Sequence, residues 1–169
     1  MSLDAIATGS AVLLDANILI YAHLGQSAEC GRLLERCALG ELRGVLPAHI
    51  LAEICHTLMS LEARVKVGMD NPQGHRTLLE KPAEVKKLGD YADAVRRLLS
   101  CGLLIEPVVK EDFSTALEFQ KQWGLLTNDS LLLAVGSRLS LNILASADKG
   151  FRLATRWKLY APADIFITP

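Results

Sequence analysis

Ala11-Val12-Leu13-Leu14-Asp15-Ala16-Asn17 decides the fold. Four apolar residues followed at once by a carboxylate read as a buried strand ending at an acid. Far along the chain, Asn142-Ile143-Leu144-Ala145-Ser146-Ala147 runs into Asp148-Lys149-Gly150-Phe151 in the same way. Open α/β sheets hold their ligands outside the carboxyl ends of their strands. Two strands that each end in aspartate therefore predict carboxylates at one crevice, where they repel unless a cation neutralises them.

Between these stretches, strand and helix signals alternate. Asn17 to His23 reads as a helix stopped by Gly25, and Ser27 to Leu39 as a second stopped by Gly40. Leu42 to Leu46 is a short strand, and Pro47 opens a third helix. On that helix Ile50, Leu51, Ile54, Cys55, Leu58 and Leu61 share a face. Tyr91 to Cys101 is helical again, and Leu103 to Val109 is a strand. Glu111 to Trp123 is a helix with Phe113, Ala116, Leu117 and Phe119 toward one side. Thr127-Asn128-Asp129-Ser130 supplies helix-start chemistry, and the apolar run Leu131 to Val135 behind it predicts a buried helix. Asn142 to Ala145 is a fourth strand, and Leu159 to Ala161 or Ile165 to Ile167 adds a fifth. Such alternation predicts an α/β fold with a mainly parallel sheet. Residues 62–92, with Asp70-Asn71-Pro72, Gly74, Pro82 and many charges, read as a mixed loop-and-helix excursion, a flap or a partner surface. A length of 169 residues predicts one domain, 1–169, carrying that excursion.

Composition narrows the classes. Half the residues are apolar and 22% are charged, which supports a sizeable core and argues against disorder. The formal net charge of −1 leaves no broad basic footprint for duplex DNA. Cys30, Cys37, Cys55 and Cys101 form no CxxC, so they read as buried, reduced thiols of a cytoplasmic protein. The N-terminus shows no signal-peptide pattern, and no apolar run is long enough to span a membrane.

Four acids stand out by context: Asp15, Glu53, Asp129 and Asp148. Strand C-termini and helix N-termini share one edge of a doubly wound sheet, so Asp15, Asp129 and Asp148 are expected in one crevice. Glu53 borders the apolar stripe of its helix and reaches that edge, or else is an ordinary solvated glutamate. The plain alternatives are local: Asp15 as a helix cap, Asp129 as a first-turn acid on the helix dipole, and Asp148 as a turn former before Gly150. Carboxylates in a group suit Mg²⁺ or Mn²⁺, which activate water for phosphodiester hydrolysis, one ion or two. Asn17, Thr127, Asn128 and Ser146 are neutral groups able to orient a carboxylate or a water.

These motifs carry a resemblance. Leu13-Leu14-Asp15-Ala16-Asn17-Ile18-Leu19-Ile20 resembles the opening motif of PIN-domain ribonucleases. Glu53 in Leu51-Ala52-Glu53-Ile54, Asp129 in Leu126-Thr127-Asn128-Asp129, and the Ile143 to Phe151 stretch around Asp148 resemble the family's further acidic positions, in order. The length is similar to that of VapC-type toxins of toxin–antitoxin pairs. The resemblance implies a three-layer α/β/α sandwich and metal-dependent cleavage of RNA. It further implies Asp15, Glu53, Asp129 and Asp148 as metal ligands and catalytic residues, a homodimer, and inhibition by an antitoxin protein. The long segment 62–92 departs from compact members of the family.

Lys149 and Arg152 follow Asp148 closely and are candidates for the RNA backbone; a solvated face is the plain alternative. Trp123 and Trp157 either stack on bases or anchor the core. His49 and His56 share roughly one side of the Glu53 helix, where either RNA contact or a solvated face would place them. Competing functions are a PIN-like module that binds RNA or protein without cutting, and a related metal-dependent DNA nuclease or phosphatase. An aspartyl-phosphate phosphatase wants a second aspartate at position 17, where Asn17 stands.

Overall fold

The computed structural model describes residues 1–67, 78 and 80–165. Its sheet has five parallel strands in the order β3-β2-β1-β4-β5: β1 Ala11–Leu14, β2 Arg43–Pro47, β3 Leu104–Glu106, β4 Ile143–Ala145 and β5 Lys158–Tyr160. Leu14 pairs with Ala145, so β1 and β4 end side by side. The chain moves outward from β1 through β2 to β3, then returns across the sheet to β4. That reversal opens a crevice between the carboxyl ends of β1 and β4.

The described helices are α1 Ala16–His23, α2 Ala28–Ala38, α3 Ala48–Val67, the short α4 Pro82–Val85, α5 Asp90–Ser100, α6 Lys110–Trp123 and α7 Thr127–Arg138. Right-handed crossovers place the helices between β1 and β3 on one face and α6 and α7 on the other. The side chains agree. A Cβ on Gly44 of β2 would meet Cys37 of α2 and Leu14, whereas one on Gly136 of α7 would meet Leu13. Leu13 and Leu14 thus point to opposite faces, as successive strand residues must, and a three-layer α/β/α sandwich results. α7 is buried from Ser130 to Gly136, as its apolar run predicts.

Several details differ from expectation. β3 stops at Glu106 rather than Val109, because Pro107 has no N–H to give a ladder; its carbonyl instead accepts from Arg138. On α6 the buried stripe is Asp112, Ala116 and Phe119, at i, i+4 and i+7. Phe113 and Leu117 lie one residue off that stripe and are 54% and 66% exposed. The fifth strand is Lys158–Tyr160; the alternative at Ile165 to Ile167 falls largely outside the described residues.

The excursion begins later than position 62, since α3 runs on to Val67. Glu62 on that added turn is buried. Its carboxylate accepts from Gly89 N at 2.8 Å, Tyr91 N at 2.9 Å and Lys66 Nζ at 2.7 Å. Gly89 has no side chain to cap α5, so Glu62 supplies the cap from 27 residues away. Ala63, Leu78 and Leu88 form a small core beside it. Residues 68–77 and 79 lie outside the described set. Among the described residues, no helix is long and apolar enough to cross a membrane.

Candidate active site at the ends of β1 and β4

Asp15 stands where β1 turns into α1, with extended backbone at φ −89° and ψ 156°. Its Oδ1 accepts from Ala16 N at 2.7 Å, so the helix-cap reading holds. Its Oδ2 accepts from Asn17 Nδ2 and Ser146 Oγ. The strand register explains the second partner: with Leu14 opposite Ala145, the next residues are Asp15 and Ser146. Asn17 completes the seam, because its Oδ1 accepts from Ala147 N at 3.0 Å. Ser146 is fully buried, and its hydroxyl also accepts from Asp148 N at 2.9 Å.

Burial pushes the Asp15 carboxyl up from 3.8 to about 6. The bonds from Ser146 and Ala16 pull the other way, while the charges of Asp129 and Glu53 add to the rise. Burial likewise raises the Asp129 carboxyl, and the charges of Asp148 and Glu53 push in the same direction. The repulsions therefore link all four acids.

Glu53 and Asp148 are also held locally. Glu53 lies at the seam of α3 and α7, where its Oε2 accepts from Asn128 Nδ2 at 2.9 Å. Asp148 is exposed and caps the 3-10 turn Lys149–Leu153, accepting from Gly150 N at 2.7 Å. Among the described residues, no three His, Cys, Asp or Glu side chains stand close enough to share a metal ion. The donor set nonetheless fits a hard divalent cation in kind. All the charged donors are carboxylate oxygens, they repel one another, and magnesium-like ions bind such groups partly through water.

Of the neutral candidates, Asn17 and Ser146 touch Asp15, and Asn128 touches Glu53. Thr127 does not join them; it accepts from Gln120 Nε2 at 3.1 Å and ties α6 to α7. Lys149 and Arg152 are exposed on the turn after Asp148. His49 departs from the solvated-face reading. It sits half-buried with Nε2 3.4 Å from Asn128 O. Its Nδ1 is buried without a partner, and burial lowers the ring's pKa. Its spacing from Glu53, one helical turn, was the available signal that both face α7.

An all-parallel five-stranded sheet with helices on both faces, and with Asp15 at the β1–β4 switch point, defines the class: a three-layer α/β/α protein. The chain belongs to the PIN domain family, whose model matches residues 12–156. No curated protein matches the sequence significantly. Among solved structures, the chain is similar to VapBC2 from Rickettsia felis bound to a DNA fragment from its promoter. That match has 16% identity and a TM-score of 0.60, covering 90% of this chain and 98% of that one. A toxin–antitoxin complex from Klebsiella pneumoniae matches at 15% identity and a TM-score of 0.56, over 92% and 99% of the two chains. VapC20 of Mycobacterium tuberculosis, a Sarcin-Ricin loop cleaving toxin, matches at 16% identity and a TM-score of 0.55, over 85% and 94%. At such identities the likeness concerns the fold.

Proposed function

We propose that this chain is a divalent-metal-dependent endoribonuclease and the toxin of a toxin–antitoxin pair. The observation that carries the reading is Asp15: a buried carboxylate with only neutral donors, raised further by Asp129 and Glu53. Such a group is costly to ionise without a cation and well placed to accept one. The similar structures, VapBC2, a toxin–antitoxin complex and a Sarcin-Ricin loop cleaving toxin, point the same way.

Asp15, Glu53, Asp129 and Asp148 would hold Mg²⁺ or Mn²⁺, directly or through water. The ion supplies Lewis acidity and an activated water for phosphodiester hydrolysis. Ser146 and Asn17 fix the Asp15 carboxylate in one orientation, and Asn128 fixes Glu53. Lys149 and Arg152 have no ion pair among the described residues and are available to the RNA phosphates. The natural inhibitor is an antitoxin protein, and the working form is a homodimer in the cytoplasm, built on a single domain.

A second reading has its own support. The four acids are not gathered at ligand distance, as in a module that binds RNA without cutting it. Incubation of mixed-sequence single-stranded RNA with Mg²⁺, Mn²⁺ or chelator separates the two. Cutting that requires the metal and is absent from Asp15→Asn is the expected result. Intact RNA in every condition, beside retained RNA binding, favours the module.

A further inference from the structure

The opposite edge of the sheet carries a second feature. A cavity of about 320 Å³ lies among the end of α6, the end of α7 and the residues that precede β4 and β5. Trp123, Trp157, Arg156, Asn142, Ser137 and Ser140 line it. Its volume falls in the range of small-ligand pockets. Ser137 stands eight residues beyond Asp129 on α7, about 12 Å along the helix at 1.5 Å per residue. The cavity is therefore distinct from the acidic crevice.

Two observations about its lining bear on what it can bind. The first is its set of accessible polar groups. Arg156, Asn142 and Ser140 are exposed and Ser137 half-buried; among the described residues their side chains and both indole N–H groups bond to no other residue, so they stand open to a ligand that enters from solvent. In the acidic crevice, by contrast, Asp15, Glu53 and Asp148 each accept a bond. The second is a strained residue. α1, α2, α5 and α6 each run out into a glycine with positive φ: Gly25, Gly40, Gly102 and Gly124. α7 ends in the same left-handed turn, with Leu141 N bonded to Gly136 O and Ser140 N to Ser137 O. There the residue is Ser140, at φ 58°, the one described non-glycine residue with positive φ. A side chain is retained where glycine is favoured, and it lines the cavity. Trp157 is held firmly as well: its ring would lie 2.4 Å from a Cβ on Gly136, so only glycine admits it.

We infer that this cavity is a second binding site, for a nucleotide unit: a planar base carried with a phosphate. Trp157 is buried against α7 and walls the cavity; the half-buried Trp123 ring, packed against Phe119 at 4.5 Å, is the indole on which a base can stack. The free guanidinium fork matches a phosphate. An amide with both donor and acceptor, beside two hydroxyls, matches the edge of a heterocycle. The occupant is either a free nucleoside monophosphate or one nucleotide of a longer strand. The inference does not rest on nuclease activity.

The chain's two tryptophans are the two that line the cavity, so tryptophan fluorescence, excited where tyrosine does not absorb, reports on this site. The wild-type protein, Arg156→Ala, Asn142→Ala and Ser140→Gly are titrated with adenosine monophosphate and with a short oligoadenylate, in chelator to prevent cleavage. Adenosine and inorganic phosphate serve as the separate halves. Saturable change with the monophosphate, weaker change with adenosine and none with phosphate is expected. Arg156→Ala weakens binding about tenfold. Ser140→Gly melts higher and binds more weakly. Saturation by the oligonucleotide alone assigns the site to a strand, and saturation by the monophosphate assigns it to a free nucleotide. No saturable response to either probe overturns the assignment, as does a response undiminished in Arg156→Ala or Ser140→Gly.

Discussion

Asp15 and Glu62 are both buried carboxylates, and both cap a helix, yet their chemistry runs in opposite directions. Glu62 pays for its burial with a cation and backbone donors. Burial alone would raise its carboxyl, but Lys66, Tyr91 N and Gly89 N outweigh that and hold it down at about 2, against an ordinary 4.5. Asp15 has only neutral donors and faces Asp129 and Glu53, so its carboxyl stands at about 6. A carboxylate whose charge is already balanced within the chain is part of the scaffold. One left electrostatically unbalanced at a strand end is part of a site.

The largest expected effect follows from removing the unbalanced charge. Asp15→Asn should cut metal-dependent RNA cleavage on the order of a thousandfold or more, with the circular dichroism spectrum retained. Residual cleavage near the wild-type rate would place the metal elsewhere.

The same pair of proteins isolates the Asp15 contribution by pH. The raised Asp15 pKa means the folded state binds its proton more tightly than the unfolded chain. Its contribution to stability is therefore full below about 3.8 and is lost as pH rises through about 6. In chelator, Asp15→Asn should gain on the wild type across that window, by up to about 3 kcal/mol. Paired denaturant melts along a pH series measure this; a flat difference would contradict it. Glu62 has the opposite sign. Its contribution is present above about 4.5 and is lost as pH falls toward about 2.

Glu62→Ala strips the start of α5 of its cap and leaves Lys66 without its buried partner. A loss of about 2 kcal/mol is expected by denaturant unfolding, with Mn²⁺ affinity unchanged by calorimetry. Weakened metal binding would instead join Glu62 to the crevice. The smallest effect belongs to Ser146→Ala, which removes one of the donors that orient Asp15. Mn²⁺ should bind about tenfold more weakly, and calorimetry at fixed pH reads it directly.

Much of the Asp15 region was legible in the chain itself. A short apolar run ending in an acid, repeated before Asp148, names two strands; that they are neighbours, and that their register brings Ser146 to Asp15, came from the structure. Asn17 follows because it sits one step into the helix that Asp15 caps. Glu53 and His49 were harder, since a residue at the border of an apolar stripe faces a neighbour only if another helix packs there, and α7 does. Phe113 and Leu117 misled because hydrophobicity alone does not say which stripe of α6 is buried; Asp112 lies within that stripe because Arg138 neutralises it. Glu62 was invisible, because its partners start a helix 27 residues on. Ser140 was equally hidden, since a positive φ leaves no mark on the residue that bears it.

The seam between Asp15 and Ser146 joins residues 131 apart in sequence, and this sets an order in time. β1 is made early, but its neighbour β4 leaves the ribosome only after α7 has been synthesised. Pairing across so long a separation comes late in folding. The acidic crevice therefore has no existence in a partly made chain. Whatever activity it confers begins only when synthesis has passed Asp148.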